Sequence, residues 1–334
     1  MTPVRLDLHR TFLVATRDSQ ETEEADWRRW AGKPKDDLIW AQILLDRVVV
    51  VLGEPGMGKS WEFEDHAERD VKAGKTSFFL PLNFIAENKD VALSLDFDRR
   101  DAFDEWMTTG GPARFYLDAV DEARLVNDAA LLGALRLIVA KLHAHLADAS
   151  FVISSRIADW QIDAVRDSVD SSIVAPLNHV LSRAKRALHP TSGGGDQPPG
   201  APGAKATEVL ETEEEVAPQE VKAYLLAPLS IIEAKRLAAA HGASPANDFW
   251  REVEEGDYQR LARRPRDLEW MAKRWMSAEP RSSGSFFELL EYSITQHLSE
   301  KNDHYVSTHM LMSQDDLRVG SEALAAASVF CDRP

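Results

Sequence analysis

The chain has almost no cysteine. Only Cys331 is present among its 334 residues. A disulfide framework within one chain and a cysteine-rich zinc site are therefore both excluded. Because disulfides persist mainly in oxidising compartments, we expect a protein of the reducing cytoplasm.

Basic charge and long apolar runs are scarce as well. The chain carries 39 Lys and Arg against 55 Asp and Glu, a net charge of −16. This balance argues against a general nucleic-acid-binding surface, which needs a basic excess or stripe, so nucleic acid is not indicated as a partner. The apolar run at residues 12–15 is too short for a signal-peptide core. No stretch approaches the roughly 20 apolar residues of a membrane helix, and we predict no membrane partner.

The apolar residues that are present alternate between strand-like runs and helix-like segments. Residues 47–52 read RVVVVL, a β-branched run typical of a parallel strand buried on both faces. Further strands are predicted at residues 76–82 and 150–156, and one within residues 113–122 that enters a carboxylate cluster. Helical segments separate these runs. The order strand, helix, strand predicts an α/β fold with a parallel sheet.

A glycine-rich loop follows the first of these strands. Residues 53–60 read GEPGMGKS and match G-x-x-x-x-G-K-[ST], the Walker A pattern, at every fixed position. Glycines let backbone N–H groups turn towards phosphate oxygens, and the next helix begins there. Lys59 is expected to reach the β- and γ-phosphates, and Ser60 to coordinate Mg²⁺. The predicted nucleotide-binding residues of the loop are Gly53, Glu54, Pro55, Gly56, Met57, Gly58, Lys59, Ser60 and Trp61.

Carboxylates and an arginine follow two later strands. Asp118 ends the apolar run in FYLDAVDEAR, where a Walker B carboxylate can hold Mg²⁺ directly or through water. Asp121 or Glu122 can then orient and deprotonate the attacking water. Arg156 ends FVISSR, on the side where α/β sheets bind ligands, and can contact the γ-phosphate.

The base of the nucleotide is predicted to be adenine. A GTPase would normally carry [NT]KxD after the carboxylate strand. The nearest string, NKDV at residues 88–91, has the wrong fourth residue and precedes that strand. The predicted cofactors are therefore ATP or ADP together with Mg²⁺.

Composition and periodicity change in the second half of the chain. Residues 190–220 are rich in Pro, Gly and Glu and lack the apolar residues needed to offset the entropy of ordering. We interpret them as a disordered insertion. Helical periodicity follows, with Ser230 and Glu233 spaced as a capping box and Ser285 and Glu288 repeating that spacing.

Taken together, five segments resemble NACHT-type STAND ATPases over roughly residues 40 to 300, the insertion excluded. In order they read VVVVLGEPGMGKS, FYLDAVDEAR, FVISSR, YLLAPLS and LARRPRDLEWM. In DAVDE a small residue, Ala119, follows the Mg²⁺ aspartate, and the acids Asp121 and Glu122 come later, as in that family. Many related ATPases instead place Glu directly after the aspartate.

The resemblance implies a slow ATPase that acts as a signalling switch, in a family found in innate immunity and bacterial anti-phage defence. It implies Mg²⁺ on Ser60 and Asp118, base catalysis by Glu122, and a contact of Pro265 with the nucleotide. It also implies self-association on ATP binding, with a trigger and an effector protein or domain that the sequence does not identify. A winged-helix domain with a phosphate-sensing histidine would follow, for which the candidates are His297, His304 and His309.

The predicted fold is therefore a P-loop NTPase parallel sheet flanked by helices, followed by an all-helical region. The predicted organisation is a helical N-terminal lead-in (1–44), the NTPase core (45–189), the insertion (190–220), the last core strand with a helical domain (221–280), and the start of a winged-helix-like or further helical domain (281–334). Because the chain stops just after an apolar helix, we expect a fragment of a longer protein.

Two other functions remain open at this point. An AAA+-like motor or remodeller, acting on nucleic acid or protein, would need a basic channel or an arginine finger. Arg99, Arg100 and Arg124 have no assigned role, while the acidic balance weighs against a channel. A small-molecule kinase would need a phosphate-acceptor site and an arginine-rich lid, and the sequence indicates neither.

Overall fold

The computed structural model describes residues 6–15, 37–118, 128–156, 221–243, 246–278, 285–299 and 313–330. These residues belong to two compact units. The sheet unit contains the described residues from 10 to 227, and the C-terminal unit contains residues 6–9 and the described residues from 228 onwards.

The sheet unit is built on a mixed, mostly parallel sheet of seven strands. The strands are β1 (Thr11–Val14), β2 (Leu38–Ile39), β3 (Val48–Leu52), β4 (Thr76–Pro81), β5 (Ala113–Asp118), β6 (Ala149–Ser155) and β7 (Lys222–Leu226). Their order in the sheet is β2-β1-β7-β3-β6-β5-β4. The five strands from β7 to β4 run parallel, and β1 runs antiparallel to both of its neighbours. The predicted α/β class is confirmed, with a sheet that is mixed and mostly parallel rather than wholly parallel.

Strand β3 lies near the centre of this sheet and is covered on both faces. All five of its residues are buried. Val48, Val50 and Leu52 pack into one apolar cluster, while Val49 and Val51 pack into another. Because successive side chains of a strand point to opposite faces, this division places apolar cover on each side of the sheet. The run of four valines is thus explained by burial on two faces.

Helices connect and cover the strands of the sheet unit. They are α1 (Trp40–Ile43), α2 (Lys59–Lys72), α3 (Leu82–Asn88), α4 (Phe97–Thr109) and α5 (Asp128–Leu142). Gly74 follows the end of α2 and Gly110 the end of α4, both with positive φ angles of 77° and 72°. Glycine adopts this conformation without strain, so both helices are followed by a residue that suits a helix end.

The N-terminal segment differs from the prediction of a helical lead-in. Within its described residues, Thr11–Val14 and Leu38–Ile39 are strands, and only the single turn α1 is helical. Strand β1 adds to the sheet by pairing with β7, with Phe12 opposite Leu226. The Phe12 side chain is fully buried, its ring centroid 4.7 Å from that of Trp40. At these described positions the chain forms strands rather than helix, because the open edge of β7 offers hydrogen bonds and apolar cover.

The elements described in the C-terminal unit are helices: α6 (Ile231–Ala240), α7 (Ala246–Glu255), α8 (Gln259–Ala262), α9 (Pro265–Ser277), α10 (Phe286–Ser299) and α11 (Gln314–Phe330). Helix α6 begins with the predicted capping box, since Glu233 N–H donates to Ser230 Oγ and Ser230 N–H donates to the Glu233 carboxylate. Ser285 and Glu288 make the same reciprocal contacts at α10. The predicted insertion at 190–220 lies outside the described residues.

Candidate functional site

The glycine-rich loop lies at the carboxyl end of β3 and turns directly into α2. The Gly53 N–H donates to the Ser155 carbonyl at 3.2 Å, which ties the start of the loop to the end of β6. Gly56 and Gly58 have φ angles of 82° and 86°. These values lie in the left-handed region, which glycine adopts readily and other residues only with strain. The backbone path of the loop therefore requires glycine at positions 56 and 58.

Lys59 is the first residue of α2, and its side chain reaches back across the loop. Its Nζ donates to the carbonyl oxygens of Gly53 at 2.5 Å and Glu54 at 3.4 Å, and the residue is only 9% exposed. The amino end of a helix and an ammonium group both favour a bound anion. The loop therefore combines two features that attract phosphate.

Oxygen donors suited to a divalent cation lie at the same edge of the sheet. Ser60 is exposed in the first turn of α2, and the half-buried Trp61 follows it. Asp118 is the last residue of β5 and is 5% exposed. Ser154 Oγ donates to Asp118 Oδ1 at 2.5 Å, a contact that holds the carboxylate in one orientation. Hydroxyl and carboxylate oxygens are ligands that Mg²⁺ accepts in proteins.

These residues offer oxygen atoms of the kind that hold a magnesium ion together with a bound nucleotide. Mg²⁺ is usually bound by one or two protein oxygens together with substrate phosphates and water. The described part of the chain has no group of three or more His, Cys, Asp or Glu that could enclose a metal. A serine, one carboxylate and a loop with affinity for anions match the first arrangement.

Arg156 directly follows the last residue of β6. Ser155 pairs with Leu52 in the parallel register, so Arg156 and Gly53 continue the chain from neighbouring strands at the same edge. Arg156 is half-buried there. Ala119, Asp121 and Glu122 lie outside the described residues. Pro265 is the first residue of α9 in the C-terminal unit, where proline suits the start of a helix.

Sequence reasoning did not find Arg10, which contacts the loop from beneath. Arg10 is 2% exposed. Its Nη1 donates to the Met57 carbonyl at 3.0 Å, and its Nη2 donates to the Ala227 carbonyl at 2.6 Å. These acceptors are 47 and 217 residues away in sequence, so no local pattern could have indicated the contacts.

A buried carboxylate accompanies Arg10. Glu62 lies on α2, is 7% exposed and accepts a hydrogen bond from Trp40 Nε1 at 3.0 Å. Burial raises the pKa of Glu62, while attraction to Arg10 and the Trp40 hydrogen bond oppose that rise. The Arg10 guanidinium thus favours the charged form of this carboxyl group, and burial disfavours it.

Ser154 is the second contact that sequence reasoning did not assign. The residue stands within FVISSR, and only Arg156 of that string was given a role. Adjacent parallel strands end at a common edge, and β5 and β6 are adjacent. That rule would have placed a polar residue of β6 beside Asp118 once the strand order was known.

Comparisons with protein-family models and with curated proteins find no match for the chain. Within the described residues, no helix combines the length and the apolar character needed to cross a bilayer.

Proposed function

We propose that the chain is an ATP-binding and ATP-hydrolysing molecular switch of the NACHT/STAND type. The observation that carries this proposal is the loop at the end of β3. Two glycines in the left-handed conformation lead into a helix whose first residue, Lys59, reaches back over the loop. Asp118 ends the strand β5 at the same edge of the sheet. This combination supports binding of a nucleoside triphosphate with Mg²⁺.

Each residue then has a defined task. The loop N–H groups and Lys59 bind the phosphate chain. Ser60 and Asp118 would hold Mg²⁺, which when bound neutralises charge on the phosphates. Arg156 would contact the γ-phosphate, and Glu122 would accept the proton of the attacking water, with Asp121 beside it in the sequence.

The switch itself is supported by the motif order that resembles NACHT-type STAND ATPases. In the proposed cycle, ADP stabilises a closed state, while a trigger and exchange for ATP favour an open state that self-associates. A ligand can shift such an equilibrium only by binding the two states with different affinities. The setting in bacterial antiviral defence, with an effector protein or domain still to be identified, is inferred from the resemblance.

The first test is the nucleotide that copurifies with the protein, released by heat and identified by chromatography. We expect ADP in nearly equimolar amount. Lys59→Ala should lose it, because the phosphate chain loses a charged hydrogen-bond donor. Lys72→Ala is the matched control, since Lys72 lies on the same helix with its ammonium exposed beside Glu68. It should retain the nucleotide.

The opposite outcome has a definite meaning. A protein that purifies without bound nucleotide and hydrolyses ATP rapidly would contradict a switch held closed by ADP. It would favour the AAA+-like motor or a kinase. Retention of nucleotide by Lys59→Ala would contradict the assignment of the loop itself.

A further inference from the structure

Arg10 donates to a carbonyl inside the glycine-rich loop, and the geometry of the peptide bond gives that contact a consequence. The Met57 carbonyl and the Gly58 N–H belong to one trans peptide unit, so they point in opposite directions. The Met57 carbonyl oxygen points to Arg10 Nη1, 3.0 Å away in the protein interior. The Gly58 N–H must therefore point away from Arg10.

The peptide unit between Met57 and Gly58 could also adopt the opposite orientation. Gly58 has φ 86° and ψ 20°, and glycine reaches the mirror-image conformation at little cost. Without the hydrogen bond from Arg10 to the Met57 carbonyl, the peptide unit could turn over. Its carbonyl oxygen, and not its N–H, would then face the phosphates. An inward carbonyl would repel phosphate, whereas an inward N–H binds it.

We propose that Arg10 is a positioning residue for phosphate binding, which holds the Met57–Gly58 peptide so that its N–H faces the phosphates. This inference rests on the proposed nucleotide-binding function of the loop. The second arm of the guanidinium, Nη2, donates to the Ala227 carbonyl at 2.6 Å just after β7. Ala227 N–H in turn donates to the Thr11 carbonyl at 2.9 Å. Arg10 is thereby anchored to the sheet, and its first arm is held in place.

An arginine suits this position better than a lysine. The planar guanidinium can donate to two carbonyls at once in a fixed fork, whereas an ammonium is a strongly hydrated point charge. The attraction between Arg10 and the buried Glu62 favours the charged form of that carboxyl group and opposes the effect of its burial. Removing Arg10 alone would take this attraction away from Glu62, so the test variant substitutes both residues.

The test compares nucleotide affinity with stability in two matched variants. Arg10→Met with Glu62→Gln removes the guanidinium and the ionisable carboxyl group together, and the side-chain oxygen of the new amide can still accept from Trp40. Arg47→Met is the control. Arg47 also donates to two backbone carbonyls, of Ala149 and Leu146, but it precedes β3 at the end opposite the loop. Binding of a fluorescent ATP analogue with Mg²⁺ and the melting temperature without nucleotide are measured for each.

We expect the double variant to bind the nucleotide about 10- to 100-fold more weakly. A loss of this size corresponds to about one hydrogen bond to a charged group. Arg47→Met should bind within about twofold of wild type. Glu62→Gln alone should also stay within about twofold, because the Arg10 fork remains. The proposal is supported if the double variant loses more nucleotide affinity than Arg47→Met does at a similar fall in melting temperature.

Two outcomes overturn the inference. One is wild-type affinity in the double variant. The other is an equal loss of affinity in the Arg47 control at equal loss of stability. If the double variant does not fold, Arg10→Lys decides, because it keeps a cation beside Glu62 but cannot reproduce the fork. Binding within about twofold of wild type would then refute the proposal. A wild-type protein that binds no nucleotide would instead refute the proposed function itself.

Discussion

At the scale of single residues, the contact between Ser154 and Asp118 fixes the orientation of the carboxylate that we propose as a Mg²⁺ ligand. A carboxylate on a strand end can rotate about its side-chain bonds, and each rotamer presents its oxygens differently. The hydroxyl of Ser154 donates to one oxygen at 2.5 Å and both residues are buried. Partners of this kind orient ligands and are often nearly as important as the ligands themselves.

Ser154→Ala is therefore expected to raise the Mg²⁺ concentration that gives half-maximal ATPase activity by about tenfold. Ser150→Ala is the control on the same strand, because Ser150 Oγ donates to the Ala113 carbonyl at the other end of β6. The measurement is ATPase rate against Mg²⁺ concentration at saturating ATP. An unchanged Mg²⁺ dependence in Ser154→Ala, or the same shift in Ser150→Ala, would show that the hydroxyl does not orient a metal ligand.

At the scale of elements, several strands and helices of the two units agree with local sequence signals. The β-branched run of β3, the glycines after α2 and α4, and the capping box of α6 each lie where the pattern indicates. These signals are local, because a strand buried on both faces needs apolar residues throughout and a helix end needs a residue that tolerates its backbone conformation.

Strand β1, like β2, departs from the predicted helical lead-in. The string TFLV is only 4 residues long, too short to show a clear period. Its partner β7 lies more than two hundred residues away, since Phe12 pairs with Leu226. The choice of strand over helix there depends on the open edge of β7, and the local sequence carries no information about that edge.

Phe12→Ala should lower the free energy of unfolding by about 3–5 kcal/mol, because it deletes a fully buried aromatic ring beside Trp40. Val14→Ala is the control on the same strand, where the side chain is 57% exposed, and should change stability by less than about 0.5 kcal/mol. Urea unfolding followed by tryptophan fluorescence measures both. Equal effects in the two variants would argue against β1 as an inner part of the sheet.

At the scale of the whole molecule, the proposed switch predicts a change of association with the nucleotide. Glu122→Gln should keep ATP bound without hydrolysing it, because a neutral amide cannot accept the proton of the attacking water. We expect this variant to form larger assemblies with ATP and Mg²⁺ than with ADP, and Lys59→Ala to form none. Light scattering after size-exclusion chromatography gives the masses.

Charge sets the conditions for that experiment. A net charge of −16 on each copy opposes close approach at low salt. The Debye length falls to about 8 Å at physiological ionic strength, which screens much of this repulsion. The comparison therefore belongs at physiological salt. Equal masses of Glu122→Gln with ATP and with ADP would contradict nucleotide-dependent self-association, although the loop could still bind nucleotide.

The sequence by itself determined the parts of this protein that depend on neighbouring residues. The path of the glycine-rich loop requires glycine at positions 56 and 58, and the strand before it requires apolar residues, so both could be predicted together with Lys59, Ser60 and Asp118. The structure brings that loop and Asp118 to one edge, as parallel strands require.

Only the tertiary structure decided which residues support that edge. The order of the strands put Ser154 beside Asp118, and the addition of β1 put Arg10 beneath Met57. A contact between residues 47 or 217 positions apart produces no periodic pattern in the sequence. It depends on how the strands assemble into the sheet, and not on the local preferences of either segment.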